Sequence, residues 1–232
     1  MTNRLHSWKY AALLTALVSI SVLEPLAVDL SPGVSISLAA ITLLVYLGVL
    51  LAIFENRWER HASLFLIGSA FAASMLHQLV PHPGGLWAIV FHAVAAGALC
   101  FAVIVILRRL FRRHAIRTDD VVGAICGYLL AGAAWGNLYA FVYLIHPAAF
   151  QISEKIAAQL DKWHMQRFLF DYFSVMTLTT YGFADIAPAG FPAYSLIWLE
   201  SVFGQFYIAV VVAQLVSLRL AEAAKQNHPD GD

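Results

Sequence analysis

The stretch MTLTTYGFADIAP, Met176 to Pro188, differs in composition from the sequence on either side of it. Tandem threonines, a glycine, aromatic residues, a small residue and an aspartate favour neither a helix nor a packed core. Yet the stretch lies between two of the most apolar parts of the sequence. Within a bilayer, irregular backbone of this kind must either be shielded by protein or line water.

The rest of the chain has the composition of a membrane protein. Of its 232 residues, 61% are hydrophobic and 12% are charged, whereas a soluble domain carries roughly twice that charged fraction. Six runs are long enough to cross a bilayer core, which needs about 20 apolar residues. The runs are Tyr10–Val28, Val34–Phe54, Ala62–Val80, Leu86–Leu107, Val121–Ile145 and Tyr194–Leu218. The sequence therefore predicts an all-α membrane protein with six transmembrane helices.

The basic residues predict how the chain is oriented. The formal net charge is zero, so no basic domain suggests a nucleic-acid partner. Arginines follow the second, fourth and sixth runs, whereas the links Asp29–Gly33 and Pro81–Gly85 contain no Lys or Arg. Cytoplasmic loops are enriched in basic residues, so we expect a multi-pass protein of the cell membrane with both termini in the cytoplasm. The densest cluster, Arg108 to Arg117, is mainly a topology signal and secondarily a candidate site for anionic lipid.

Thr118, Asp119 and Asp120 end this basic linker and suit the first turn of a helix. We place a module boundary there. Residues 1–117 form a four-helix membrane domain with its linker, residues 118–220 form a second membrane domain, and residues 221–232 form a short cytoplasmic tail.

The connection from His146 to Ala193 is more than a loop. Apolar residues recur at helical spacing from Ile152 to Trp163, which predicts a short amphipathic helix at the outer surface. The apolar segment Arg167 to Thr179 follows, but as a helix it would reach only about 20 Å, too short to span. A half-length helix followed by a polar strand, between the fifth and sixth runs, predicts a re-entrant loop beside an aqueous path.

The quoted stretch resembles the selectivity filter of potassium channels, usually met as T-x-T-T-V-G-Y-G-D. The matching positions are Thr177, Thr179, Thr180, Gly182 and Asp185, with Phe183 in the aromatic slot. The resemblance covers roughly Val121 to Leu218. It implies that residues 118–220 form a pore domain with an outer helix, an extracellular helix, a pore helix, a filter and an inner helix.

The resemblance also implies a role for each residue of the filter. Thr180 would offer its carbonyl and hydroxyl at the cytoplasmic end, and Asp185 would lie at the outer mouth. Carbonyls above Thr180 would replace the water around a dehydrating ion. The ion-binding set would be Thr180, Tyr181, Gly182, Phe183, Ala184 and Asp185, supported from the pore helix by Tyr172, Phe173, Met176 and Thr177.

Three positions depart from the family pattern. Tyr181 replaces a valine, and its larger side chain would require a larger pocket behind the filter. Ala184 replaces the second glycine, and a positive φ there would cost on the order of 1–2 kcal/mol per subunit. Met176 stands where some members of the family have a carboxylate, so Asp185 is expected to lack that partner.

The sixth run carries further candidates. The resemblance aligns Gly204 with the inner-helix hinge, although a packing glycine is an alternative. One helix face below it would line the pore, or else face lipid or pack: it comprises Gly204, Gln205, Ile208, Val212 and Val216. Glu200, about one turn above Gly204, is either a gating residue, or a residue that is protonated or hydrogen-bonded behind the pore helix.

No charged voltage sensor is expected. Voltage sensors of the family carry repeated arginines on the fourth helix, and the fourth run here has none before Arg108. A helix without charges gains no energy from the membrane field. Residues 1–117 therefore have a voltage-sensor-like layout without gating arginines.

One filter loop per chain cannot close a ring of carbonyls, so four copies are expected around one axis. The sequence predicts a homotetrameric potassium-type cation channel, not an enzyme, with K⁺ as the permeant ion and no other cofactor. Alternatives are a weakly selective Na⁺/K⁺ channel, because of Ala184, and a non-conducting subunit. From a different class, a transporter or metalloenzyme could use His77, His82 and His92, since three histidines can bind zinc.

Overall fold

The computed structural model describes residues 4–27, 61, 68, 85–112, 118–158, 160, 163–182 and 185–227. The described chain is mostly helical. Its helices are α1 (Arg4–Ala27), α2 (Gly85–Arg112), α3 (Thr118–Ile145), α4 (Glu154–Ala157), α5 (Trp163–Leu178) and α6 (Phe191–Asn227), with a 3₁₀ turn at Pro147–Ala149 and two strands, β1 (Phe150–Ile152) and β2 (Ile186–Pro188). The second and third predicted spans, except for Gly68, lie outside the described residues.

Three of the described helices are long and apolar enough to cross a membrane. They cover Gly85–Arg112, Asp119–Ile145 and Phe191–Leu220, which correspond to the fourth, fifth and sixth runs. The first run forms α1, whose apolar part, Tyr10–Leu23, is shorter than these three. The described chain is therefore mostly helical and compatible with the predicted all-α membrane protein.

The ends of these helices follow from local chemistry. Helix α3 begins at Thr118 with Asp119 and Asp120 in its first turn, as the sequence predicted, and carboxylates there offset the positive end of the helix dipole. It ends before His146, which has a non-helical backbone (φ −135°, ψ 75°). Pro147 follows, and a proline disfavours the helical conformation of the residue before it. Helix α6 continues to Asn227, so residues 221–227 of the predicted tail are helical.

Helix α3 is central to the packing. On one side it packs against α1 and α2 through a cluster of mostly aliphatic side chains, which bury apolar surface. Its larger buried members include Leu13, Leu17, Leu99, Val103, Ile106, Cys126 and Leu130. The helices of the first and fourth runs thus pack on α3 of the same chain.

A second cluster lies at the C-terminal end of α3 and includes residues of both strands. β1 and β2 are antiparallel, with Phe150 opposite Pro188 and Ile152 opposite Ile186. Phe150 and Phe173 pack edge-to-face on Tyr139, and Phe170 packs edge-to-face on Phe150 within this cluster. The strand pair was not predicted from the sequence.

The predicted amphipathic helix from Ile152 to Trp163 is much shorter in the structure. Ile152 belongs to β1, and α4 comprises only Glu154–Ala157. The backbone near Ile152 hydrogen-bonds to the segment that follows Gly182, so tertiary pairing overrides the helical periodicity. The apolar face was nevertheless correctly identified at Ile156 and Leu160, which are buried.

Candidate functional site

Helix α5 lies between α3 and α6 and is too short to span a membrane. Its 16 residues reach about 24 Å, against a hydrocarbon core of about 30 Å. It starts at Trp163, four residues before the predicted start, and ends at Leu178, one before the predicted end. Its length therefore agrees with a helix that enters the membrane only part of the way.

Contacts along α5 fix its direction relative to its neighbours. Three contacts join it to α3, with residue numbers that rise along one helix as they fall along the other: Tyr128 with Leu178, Gly132 with Ser174, and Gly136 with Asp171. Two contacts join it to α6, with numbers that rise together: Ser174 with Glu200, and Leu178 with Gly204. Helix α5 is thus antiparallel to α3 and parallel to α6. The chain must reverse between α5 and α6, and β2 completes that reversal beside β1.

Glycines allow α5 to approach both neighbours closely. A Cβ atom on Gly136 would lie 2.8 Å from the Asp171 Cα atom, and one on Gly204 would lie 2.5 Å from the Leu178 carbonyl oxygen. Gly204 is buried, and α6 runs through it without a break. The geometry at Gly204 is therefore that of the packing alternative, with the Leu178 carbonyl in the place of a side chain.

The backbone after Leu178 turns in a defined way. Thr180 donates its N–H to the Thr177 carbonyl (2.9 Å), and the N–H groups of Tyr181 and Gly182 donate to the Met176 carbonyl (2.9 and 3.3 Å). The first two bonds form the pattern of a Schellman C-cap, in which Thr180 occupies the left-handed position. Thr180 has φ 58° and Gly182 has φ 74°. A β-branched residue in this region is strained, and such strain clusters at functional sites.

The direction of the carbonyls follows from these three bonds. In a planar trans peptide the C=O of one residue points opposite to the N–H of the next, and no cis peptide occurs in the described chain. Since the N–H groups of Thr180, Tyr181 and Gly182 all point to the last turn of α5, the carbonyls of Thr179, Thr180 and Tyr181 all point away from it. An ordinary strand would alternate its carbonyls. In this loop three successive carbonyls are instead directed away from α5.

The outer part of the predicted filter is described only in part. Phe183 and Ala184 lie outside the described residues, so their predicted carbonyl sites do too. Asp185 is described, and the Ser153 hydroxyl donates to its Oδ1 at 3.2 Å while the Ser153 N–H donates to its carbonyl at 2.9 Å. The expectation that Asp185 lacks a carboxylate partner at the position of Met176 did not include this contact. A serine before α4 provides the contact.

The predicted supporting residues on α5 lie behind this loop. Phe173 is buried, and its ring centroid lies 5.0 Å from that of Tyr139. Tyr172 stacks on Phe168 at 6.1 Å. Thr177 donates its hydroxyl to the Phe173 carbonyl at 2.9 Å, within the helix. Aromatic packing therefore surrounds α5 on the side of the β1–β2 pair.

Glu200 is fully buried and hydrogen-bonded between three helices. The Tyr139 hydroxyl on α3 bonds to Glu200 Oε2, and Ser174 Oγ on α5 lies 2.5 Å from Glu200 Oε1. Ser174 Oγ also lies 2.7 Å from the Gly132 carbonyl oxygen. We call these four residues the Glu200 cluster. Of the two alternatives from the sequence, the cluster has the geometry of a hydrogen-bonding residue behind α5.

The predicted pore-lining face of α6 is exposed in the single chain. Gln205, Ile208, Val212 and Val216 are all exposed, and only 22% of the apolar window of α6 is buried, against 56% for α2 and α3. Of this face, Gly204 packs against α5, whereas the four residues that follow it on the face stay exposed in the single chain. These four residues are available to lipid or to further copies of the chain.

Of the three histidines, His92 alone belongs to the described residues. His77 and His82 lie outside the described residues. His92 is buried on α2, with Nδ1 2.9 Å from Asn137 Oδ1 on α3. The described part of the chain contains no group of three His, Cys, Asp or Glu side chains that could hold a metal. Of the arginine cluster, Arg108, Arg109 and Arg112 lie at the C-terminal end of α2, and Arg113 and Arg117 are not described.

Sequence reasoning missed the hydroxyl groups that hold α5. Tyr128 donates to the Leu178 carbonyl at 3.1 Å, and Tyr139 and Ser174 make the contacts with Glu200 given above. The Ser153 hydroxyl, which was also missed, holds Asp185 rather than α5. One signal could have found them. Hydroxyl side chains at membrane depth have no water to bond, so each must find a protein partner.

Comparison with known proteins adds no relative: no protein-family model, curated protein or solved structure matches the chain.

Proposed function

We propose that four copies of this chain form a potassium-type cation channel of the cell membrane. The observation that carries the proposal is the alignment of the Thr179, Thr180 and Tyr181 carbonyls, all directed away from α5. Closely spaced backbone carbonyls can replace the hydration shell of a cation. One chain provides one column of oxygens, and four chains around an axis provide the rings.

The directions of the helices support a re-entrant pore loop. Helix α5 runs parallel to α6 and antiparallel to α3, and the chain returns past α5 to pair β2 with β1. In a six-span arrangement with cytoplasmic termini, α5 would enter from the outside and end within the membrane. Its C-terminal end, with negative partial charge, would then face a cation.

The surface of α6 supports assembly. Its apolar window is far less buried than those of α2 and α3, and it presents Ile208, Val212 and Val216 on one exposed face. In a tetramer this face would line the pathway below the carbonyl rings. Apolar rings at such depth can close by dewetting.

Voltage sensing by a charged helix is not part of the proposal. The basic residues of α2 lie only at its C-terminal end, from Arg108 onwards. We propose conduction without movement of a charged α2. The stimulus that opens the pore is outside this proposal.

The test is ion flux through the purified protein in planar bilayers, with K⁺ on one side and Na⁺ on the other. A reversal potential near the potassium value supports a selective filter. A value near zero that Ala184→Gly shifts toward potassium supports the weakly selective alternative. Native mass spectrometry of the same sample is expected to give four subunits, and a monomer without current would contradict the proposal. Protein-free bilayers are the control.

A further inference from the structure

The Glu200 cluster contains more short oxygen contacts than its hydroxyl groups alone can satisfy. Tyr139, Ser174 and Glu200 are each fully buried. Three contacts need a hydrogen atom between two oxygens: Tyr139 with Glu200, Ser174 with Glu200 (2.5 Å), and Ser174 with the Gly132 carbonyl (2.7 Å).

Counting hydrogen atoms assigns the charge of Glu200. A tyrosine and a serine hydroxyl each supply one hydrogen, and the Gly132 carbonyl oxygen supplies none. Two hydrogens cannot serve three contacts. If Glu200 were a carboxylate, Ser174 Oγ would face two acceptors with one hydrogen, and one of the two short contacts would be repulsive. A hydrogen on Glu200 Oε1 resolves the count: it donates to Ser174, Ser174 donates to Gly132, and Tyr139 donates to Oε2.

We propose that Glu200 is a neutral carboxylic acid that positions α5 between α3 and α6. As a statement about the pore, this inference rests on the proposed channel function. Glu200 is a positioning residue, since its carboxyl group touches Tyr139 and Ser174 and none of the carbonyls directed away from α5. A neutral acid also avoids the large penalty of an ionised group at membrane depth.

The position of the cluster explains what it controls. On α6, Glu200 and Gly204 are four residues apart and face the same way; on α5, so are their partners Ser174 and Leu178. The two contacts set the register of α5 against α6 one turn before the aligned carbonyls. Loss of the Ser174–Glu200 contact would allow α5 to slide or rotate, and the directions of the carbonyls would change with it.

Infrared spectroscopy of the protein in liposomes at neutral pH tests the charge directly. The neutral acid gives a carboxylic C=O stretch that shifts on deuteration, and Glu200→Gln should abolish one such band. Ser174→Ala should retain the band but shift it, because a hydrogen-bond partner is lost. If Glu200→Gln instead removes carboxylate bands and no carboxylic band, the inference is overturned.

Flux and stability of the variants test the positioning role. Glutamine is neutral and keeps one donor and one acceptor, so Glu200→Gln should keep K⁺ flux within about two-fold of the original. Glu200→Ala keeps neither and should lower flux at least about tenfold. Thermal unfolding in detergent shows whether each variant is folded. A folded Glu200→Gln protein that loses flux as severely as Glu200→Ala would overturn the inference, since a negative charge would then be required.

The two readouts separate this inference from the channel proposal. If Glu200→Gln abolishes a carboxylic band but the protein passes no cations, the inference of a neutral Glu200 stands and the channel proposal is overturned. If the protein passes cations but Glu200 gives only carboxylate bands, the channel proposal stands and the inference of a neutral Glu200 is overturned.

Discussion

The carbonyl oxygen of Leu178, at the C-terminal end of α5, lies 2.5 Å from the place where a Cβ atom on Gly204 would be. The same oxygen accepts a hydrogen bond from Tyr128 on α3 at 3.1 Å. The last turn of α5 is therefore in contact on both sides. The Tyr128 hydroxyl bonds to it from α3, and α6 approaches it closely because Gly204 has no side chain. The aligned carbonyls start one residue later.

Gly204→Ala should destabilise the protein, because the new methyl group would meet backbone rather than a flexible side chain. Helix α5 or α6 must shift, which typically costs about 1–3 kcal/mol. The measurement is the thermal unfolding midpoint in detergent. Gly97→Ala on α2 is the matched control, since no described atom lies within 4 Å of a Cβ there. An unchanged midpoint for Gly204→Ala, with altered opening only, would restore the hinge interpretation.

Tyr128→Phe should weaken the hold on α5 without creating a cavity. The change removes only the hydroxyl that bonds to the Leu178 carbonyl, and such a bond is worth about 1 kcal/mol. The expected result is a lower unfolding midpoint and a less selective current. Tyr194→Phe is the control, because Tyr194 is half exposed on α6. Equal midpoints for the two variants would show that the contact with Leu178 adds nothing to stability.

Much of the helical architecture could be predicted from composition and charge. Long apolar runs and the Thr118–Asp120 sequence predict α2, α3 and α6 and place their starts within about three residues, because membrane helices satisfy their own backbone. Helices α2 and α6 extend beyond the apolar runs, to Arg112 and Asn227. The short length of α5 was also predictable, since its apolar run is interrupted by the two threonines. These features depend on local sequence alone.

The contacts that hold the candidate site were not predictable in the same way. Ser153 and Asp185 meet only because β1 pairs with β2, and no periodicity encodes that pairing. Glu200 was recognised as unusual, but its partners Tyr139 and Ser174 lie far away in sequence. Gly204 could be assigned to packing only once Leu178 was seen against it.

Ser153→Ala should loosen the segment around Asp185. The variant loses the hydroxyl that bonds to Asp185 Oδ1 but keeps the backbone bond to the Asp185 carbonyl. We expect a change of about 0.5–1.5 kcal/mol in the local free energy of opening, seen as faster hydrogen exchange at Ile186. Ser195→Ala, at an exposed position on α6, is the control. Identical exchange in both variants would mean that the Ser153 hydroxyl does not restrain Asp185.

Gly182→Ala should disrupt the aligned carbonyls while leaving the helices intact. Gly182 has φ 74°, and no described atom lies within 4 Å of a Cβ built there, so the substitution changes only the backbone preference. Holding alanine in this conformation costs on the order of 1–2 kcal/mol in each subunit. The peptide between Tyr181 and Gly182 is then expected to rotate, which turns the Tyr181 carbonyl out of line. The bilayer measurement should give a reversal potential moved toward zero or a current at least about tenfold smaller. The unfolding midpoint should stay close to that of Gly97→Ala, because Gly182 is exposed. Unchanged K⁺ selectivity in Gly182→Ala would mean that the left-handed backbone at this position has no part in ion binding.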